Sequence, residues 1–168
     1  MHIRRARTGD EKAIADVVVK TWKDAYQGIV PQSFLDSLTI DKFVQRYKET
    51  IPTNIEPMFV LEDKSGKIVG MVLGGADRSG KYDCELMAIY ILLEHQKKGY
   101  GRELFLELVK EHKKNNYRSM IIWTFEDNRD RNFYEKLGGV AREEQNLVLA
   151  DKELTVVGYV WDDIGTII

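Results

Sequence analysis

The chain has 168 residues, 43% of them hydrophobic and 31% charged, with 25 basic and 27 acidic side chains and a formal net charge of -2. That length suits one buried core and excludes two ordinary domains, so a single domain over residues 1–168 is expected, with any active site inside it or between subunits. The near balance of charge excludes a protein that holds nucleic acid by bulk electrostatics, and the hydrophobic content excludes a disordered chain.

The basic start from Met1 to Arg7 contains Ile3-Arg4-Arg5-Ala6, which reads as a short strand. It runs into Thr8-Gly9-Asp10-Glu11 and not into an apolar stretch, so no secretory signal is expected there. Thr8, with Glu11 three residues on, offers a helix cap. Ile14, Val17, Val18, Thr21, Trp22 and Ala25 follow at helical spacing up to Gly28. Pro31 suits a first helical position before Phe34, Leu35 and Leu38. A third helical piece carries Phe43, Val44 and Tyr47 and is expected to end before Pro52, with a loop from Pro52 to Pro57.

From Met58 the pattern becomes that of strands. Residues 58–62 and 68–73 flank the turn Asp63-Lys64-Ser65-Gly66-Lys67 and read as a hairpin. A second polar turn, Asp77 to Lys81, leads into the apolar run Cys84 to Ile91, suited to a central strand. Helical spacing returns after Gly101 with Leu104, Phe105, Leu108 and Val109, and Lys110, Lys113 and Lys114 suit the negative end of that helix. Ser119 to Thr124 is a strand. A short helix is expected from about Asn128 to Leu137, stopping at Gly138-Gly139. Residues 140–150 and 154–161 close the chain as two strands paired through Asp151-Lys152. The order β-α-α-α-β-β-β-α-β-α-β-β describes an α/β or α+β mixture on one sheet.

The single cysteine, Cys84, cannot form an internal disulfide, which suits the cytoplasm. No window approaches 18 consecutive apolar residues, so no membrane partner is expected, and nucleic acid is not expected either. His2, His95 and His112 lack metal-ligand spacing and read as surface or satisfied residues.

The segment Gln96-Lys97-Lys98-Gly99-Tyr100-Gly101 lies between a buried strand and an amphipathic helix. A helix start has unpartnered N–H groups and a partial positive charge, and glycine there removes the side chains that would block a phosphate. Two glycines at this spacing can also be a turn plus a cap. Gln96-x-x-Gly99-x-Gly101, preceded by Glu85 to Ile91 and followed by Asn128-x-x-x-x-Phe133-Tyr134-Glu135-Lys136-Leu137-Gly138, resembles the signature of the GCN5-related N-acetyltransferase (GNAT) superfamily over essentially the whole chain. The resemblance implies a mixed, mostly antiparallel sheet of about seven strands, helices on both faces and a splay between the fourth and fifth strands. It implies acetyl-CoA as co-substrate, with no metal, and transfer of the acetyl group directly to a primary amine.

For the coenzyme, the resemblance implies a pyrophosphate held by backbone N–H groups from Lys98 to Arg102, and a pantetheine arm paired with the backbones of Ile89 and Ile91. Lys97 and Lys98 reach outer phosphates or form a solvated loop. Tyr134 is implied as the acid that protonates the leaving thiolate, the alternative being a packed aromatic. Asn128 reads as an N-cap, with a coenzyme contact implied in addition. Where the family often has a small residue after this asparagine, the chain has Arg129-Asp130-Arg131-Asn132. Glu85, eleven residues before Gln96, resembles the general-base glutamate of the histone-acetylating branch, or is a strand-edge carboxylate. Cys84 beside it points to the opposite face and into the core.

Thr21-Trp22-x-x-Ala25-Tyr26-x-Gly28-Ile29-Val30-Pro31 resembles a branch that includes polyamine acetyltransferases. Trp22 and Tyr26 share a helix face and line an amine pocket or join the core. Asp24 and Glu62 could supply negative charge to a polycationic acceptor or stand solvated. Two other functions remain open on these residues: an acyl-CoA sensor without turnover, and acetylation of protein N-termini or lysines. Exposed strand edges near the C-terminus would permit a homodimer.

Overall fold

The structure, a computed structural model, describes all 168 residues. In chain order the elements are β1 (His2–Arg5), α1 (Glu11–Ala25), α2 (Gln32–Ser37), α3 (Ile40–Thr53), β2 (Met58–Glu62), β3 (Ile68–Ala76), β4 (Cys84–Ile91), α4 (Tyr100–Lys114), β5 (Met120–Phe125), α5 (Asn132–Lys136), β6 (Val140–Leu149) and β7 (Lys152–Trp161). Single 3-10 turns lie at Leu93–His95 and Ile164–Thr166.

The seven strands form one sheet in the order β1-β2-β3-β4-β5-β7-β6, antiparallel throughout except between β4 and β5. Alternation along β3 sends successive side chains to opposite faces. Gly74 faces Leu108 and His112 of α4, whereas Met71 shares its face with Tyr90, whose hydroxyl meets Trp22 of α1. Helix α4 therefore covers one face and α1, packed on α3, covers the other. With both faces covered, the central strands are almost continuously apolar and buried, Val69, Met71, Val72 and Leu73 among them. A smaller cluster of Tyr26, Val30, Leu35, Phe125, Leu154 and Val156 fastens the α1–α2 connection to the far half of the sheet.

Several local expectations shift. Thr8 is not the cap of α1. Arg4 donates to both oxygens of Asp10 at 2.7 and 3.0 Å, and Asp10 accepts from the Arg7 N–H at 2.9 Å, so a turn at residues 7–10 delays the helix. Pro31 precedes α2 and is not its first residue. Pro52 lies inside the last turn of α3, where its missing N–H forfeits one bond but no further turn follows to be kinked, and Asn54 ends that helix in the left-handed region. The β6–β7 turn is Ala150-Asp151, both at positive φ (44° and 66°), the twist that joins antiparallel strands through two residues. Helix α5 starts only at Asn132. Asn128 is not its N-cap; the Asn128 side chain accepts from the Asp130 N–H at 3.0 Å and closes a turn ahead of it.

Candidate active site

Strands β4 and β5 pair only at Cys84↔Met120 and Glu85↔Ile121 and then separate. Opposite β3, the strand β4 carries one extra residue: Leu73 faces Ala88 while Gly74 faces Leu86, leaving Met87 unpaired. Such a bulge bends the strand away from its neighbour and opens a wedge. Antiparallel pairing alternates between bonded and non-bonded residues. Leu92 donates to Val69 at 2.9 Å, so Ile91 and Ile89 are the residues whose N–H and C=O turn away from β3 and into the wedge. The Gln96 side chain donates to the Ile91 carbonyl at 2.8 Å and ties the next loop to the end of β4.

At the open end of the wedge lies the start of α4. Its first backbone bond is Glu103 N–H to Gly99 O at 3.2 Å. The N–H groups of Lys97, Lys98, Gly99, Tyr100, Gly101 and Arg102 find no acceptor in the chain, and no side chain caps the helix. Such a run at the positive end of a helix dipole fits a pyrophosphate. Gly99 reaches φ 88°, a conformation costly for other residues, and Lys97 also adopts positive φ (58°). A side chain on Gly101 would press on the Phe133 ring at 3.2 Å, so this glycine lets α4 approach α5. Lys98 Nζ folds back on the Glu94 carbonyl at 2.8 Å, and Arg102 reaches the Ile168 carbonyl at 2.8 Å. The loop thus presents backbone more than side-chain charge.

Tyr134 on α5 is 8% exposed, and its hydroxyl bonds to no group of the protein. Burial first, and then the neighbouring Tyr90, Asp130 and Tyr159, raise its phenol well above the ordinary value, so it stays protonated at neutral pH. Helix α5 is held in place by Trp161 Nε1 on the Leu137 carbonyl (2.9 Å) and Tyr159 Oη on Glu135 (3.2 Å). Asn128 Nδ2 donates to Thr124 Oγ1 at 2.8 Å at the end of β5.

Trp22 and Tyr26 meet edge to face at 4.7 Å, with Phe34 and Phe125 within about one ring diameter of Trp22 (5.9 and 6.0 Å). Trp22 Nε1 donates to Tyr90 Oη at 2.9 Å, and burial lifts the Tyr90 phenol to about 12. Tyr90 escaped the sequence reading, although alternation with Ile89 and Ile91 puts it on the α1 face.

Glu85 is 3% exposed, so it is not a solvated edge residue, and both its oxygens are taken by Arg78. Nothing in the sequence singled out Arg78, which sits in a polar turn. Cys84 is fully buried on the opposite face, as expected. Glu62 lies 2.6 Å from the Arg4 guanidinium, which it shares with Asp10, and Asp24 stands exposed on α1. His112 is neither a surface residue nor a satisfied one: it is fully buried and neither ring nitrogen has a partner. No three His, Cys, Asp or Glu side chains come together as a metal site, and no helix is long and apolar enough to cross a membrane.

Residues 18–139 match the model of the acetyltransferase (GNAT) family. An uncharacterised N-acetyltransferase of Bacillus subtilis, YuaI, is 32% identical over 167 residues, covering 98% of this chain and 95% of its own. Among solved structures, the PaiA N-acetyltransferase of Thermoplasma acidophilum in complex with coenzyme A superposes with a TM-score of 0.74 at 18% identity, covering 94% of this chain and 96% of that one. The yncA protein of Salmonella typhimurium, solved with its cofactor acetyl-CoA, gives 0.74 at 19% identity over 96% and 93% of the two chains. The splayed β4–β5 pair, the unpartnered N–H run that follows it and these likenesses together make the chain a member of the GNAT family and an acetyl-CoA-dependent N-acetyltransferase.

Proposed function

We propose that the protein moves the acetyl group of acetyl-CoA directly to a primary amine of a small molecule, with a polyamine as one acceptor of that class. The observation that carries this reading is the wedge itself: unpartnered N–H groups at its open end, Tyr134 with an uncommitted hydroxyl beside it, and the buried Glu85 at its closed end. The cradle from Lys97 to Arg102 binds pyrophosphate, and the peptide groups of Ile89 together with the Ile91 N–H align the pantetheine arm as an added strand would be aligned, the Ile91 carbonyl being held by Gln96. Glu85 serves as general base toward an ammonium group, and Tyr134 gives its proton to the departing sulfur. The α1 face supplies the acceptor side, where the half-buried Trp22 and Tyr90 offer aromatic rings to a cation and Tyr26, buried beside Phe125, packs behind Trp22.

Release of free thiol from acetyl-CoA, followed across a panel of polyamines, amino acids, aminoglycosides and peptides, tests the reading. Turnover with small amines above peptides is the expected result. A panel without turnover, despite calorimetric binding of acetyl-CoA, would overturn it in favour of a coenzyme sensor, and a preference for peptides would transfer the acceptor to protein.

A further inference from the structure

Glu85 occupies the last rung that β4 shares with β5, on the face covered by α1 and α3. Its side chain is 4% exposed, yet the cation that satisfies it comes from outside: Arg78 Nη2 and Nε donate to Oε1 and Oε2 at 2.5 and 3.0 Å, while the Arg78 side chain is 68% exposed. The pair is asymmetric. A buried carboxylate without a partner is costly, whereas an exposed guanidinium loses little by swinging into water. Arg78 stands on the β3–β4 turn, whose backbone is fastened by Asp77, which accepts from the N–H groups of Ser79, Lys81 and Tyr82 at 3.2, 3.0 and 3.0 Å. Departure of Arg78 therefore needs side-chain rotation alone.

We propose that Arg78 is a displaceable cap on Glu85, and that the ammonium group of the acceptor takes the place of its guanidinium. The inference rests on the acetyltransferase reading with Glu85 as base, and it adds Arg78 as a positioning residue. In the free enzyme Arg78 holds the carboxylate oriented and occupied. A guanidinium keeps its protons under all physiological conditions, so the capped pair is inert. Once an ammonium replaces it, Glu85 takes one proton from nitrogen and the neutral amine forms the N–C bond. The nitrogen, now cationic and still carrying two protons, gives one of them to water as the C–S bond breaks, and the sulfur receives the Tyr134 proton. Tyr134 is reprotonated from water and the proton on Glu85 passes to solvent, so that one proton is released per turnover. The exchange also ranks acceptors, because only a cation gains by displacing another cation.

Steady-state kinetics of the full chain, with the amine of the panel above that turns over fastest, test the cap in Arg78→Gln, Arg78→Lys and Glu85→Gln. Removing the competing cation in Arg78→Gln should lower KM for the amine about fivefold, the equivalent of one exposed ion pair, with kcat moving less than KM. Arg78→Lys should restore the wild-type KM in large part. An unchanged KM in Arg78→Gln, or a loss of kcat as deep as that of Glu85→Gln, overturns the cap and leaves the parent reading standing. An active Glu85→Gln enzyme removes the base assignment and the cap with it. A panel with no turnover at all removes the acetyl-transfer reading from which both follow.

Discussion

His112, on the last turns of α4, is 0% exposed and has no hydrogen-bond partner for either ring nitrogen. Burial lowers its imidazole from 6.5 to about 4, against smaller upward pulls from the Glu85 carbonyl, which lies nearby but outside hydrogen-bond geometry, and from the Glu111 carboxylate. The folded pKa is the lower one, so the unfolded chain binds a proton that the native state refuses. Stability from this group is therefore complete above pH 6.5, declines as pH falls toward 4 and changes no further below that. The interval from 6.5 to about 4 corresponds to about 3 kcal/mol in full, of which about 2 kcal/mol is lost by pH 5. Against a typical total of roughly 5–15 kcal/mol this is a large share. Urea unfolding at pH 7.5, 6 and 5 measures it in the wild type and in His112→Leu, a side chain of similar bulk without a titrating group. The wild type should lose about 2 kcal/mol between pH 7.5 and 5, and the variant far less. Asp10, Asp77 and Glu111 are carboxyls held low in the folded state, so their contributions fade only below their unfolded values near pH 4 and leave the window clear. Parallel losses in wild type and variant would refute the argument.

Three further outcomes follow from the site. Tyr134→Phe removes a hydroxyl that bonds to nothing in the protein, so the fold and acetyl-CoA affinity should be nearly unchanged while kcat falls about 100-fold, the range for a lost general acid; equal losses in rate and affinity would mark the residue as structural. Gly99→Ala meets no neighbour within 4 Å but forces alanine to φ 88°, at about 1–2 kcal/mol, and calorimetry should show acetyl-CoA binding weakened by about tenfold as the N–H groups turn; unchanged affinity would separate this glycine from the cradle. Trp22→Phe keeps the ring packing but removes the donor to Tyr90 Oη, and should raise KM for the amine several-fold without altering acetyl-CoA affinity, whereas a change in coenzyme affinity would place Trp22 outside the acceptor side.

Much of this architecture is written in local pattern. Apolar spacing and turn residues yield the order of all twelve elements, because period 3.6 and period 2 are properties of the chain itself. The loop proposed to hold the coenzyme was legible for the same reason: a glycine-bearing segment between strand and helix is a local feature, and its unpartnered N–H groups depend on backbone geometry within six residues. Element ends were less legible. The delayed start of α1 depends on Arg4 reaching Asp10, and the late start of α5 on Asn128 turning onto its own backbone, both choices among competing hydrogen bonds.

Long-range geometry decided the rest. No pattern in the sequence pairs Arg78 with Glu85, joins Trp22 to Tyr90 across 68 positions, or buries His112 against Gly74, since each contact exists only once the sheet has brought distant segments together. Local pattern is enough to mark a GNAT-type chain, with a glycine-bearing loop at a helix start and an apolar strand leading into it. That the Glu85 carboxylate, on the last rung shared by β4 and β5, is buried and paired with Arg78 is a matter of the assembled fold, because burial and charge pairing are set by what packs around a residue and not by its neighbours in the chain.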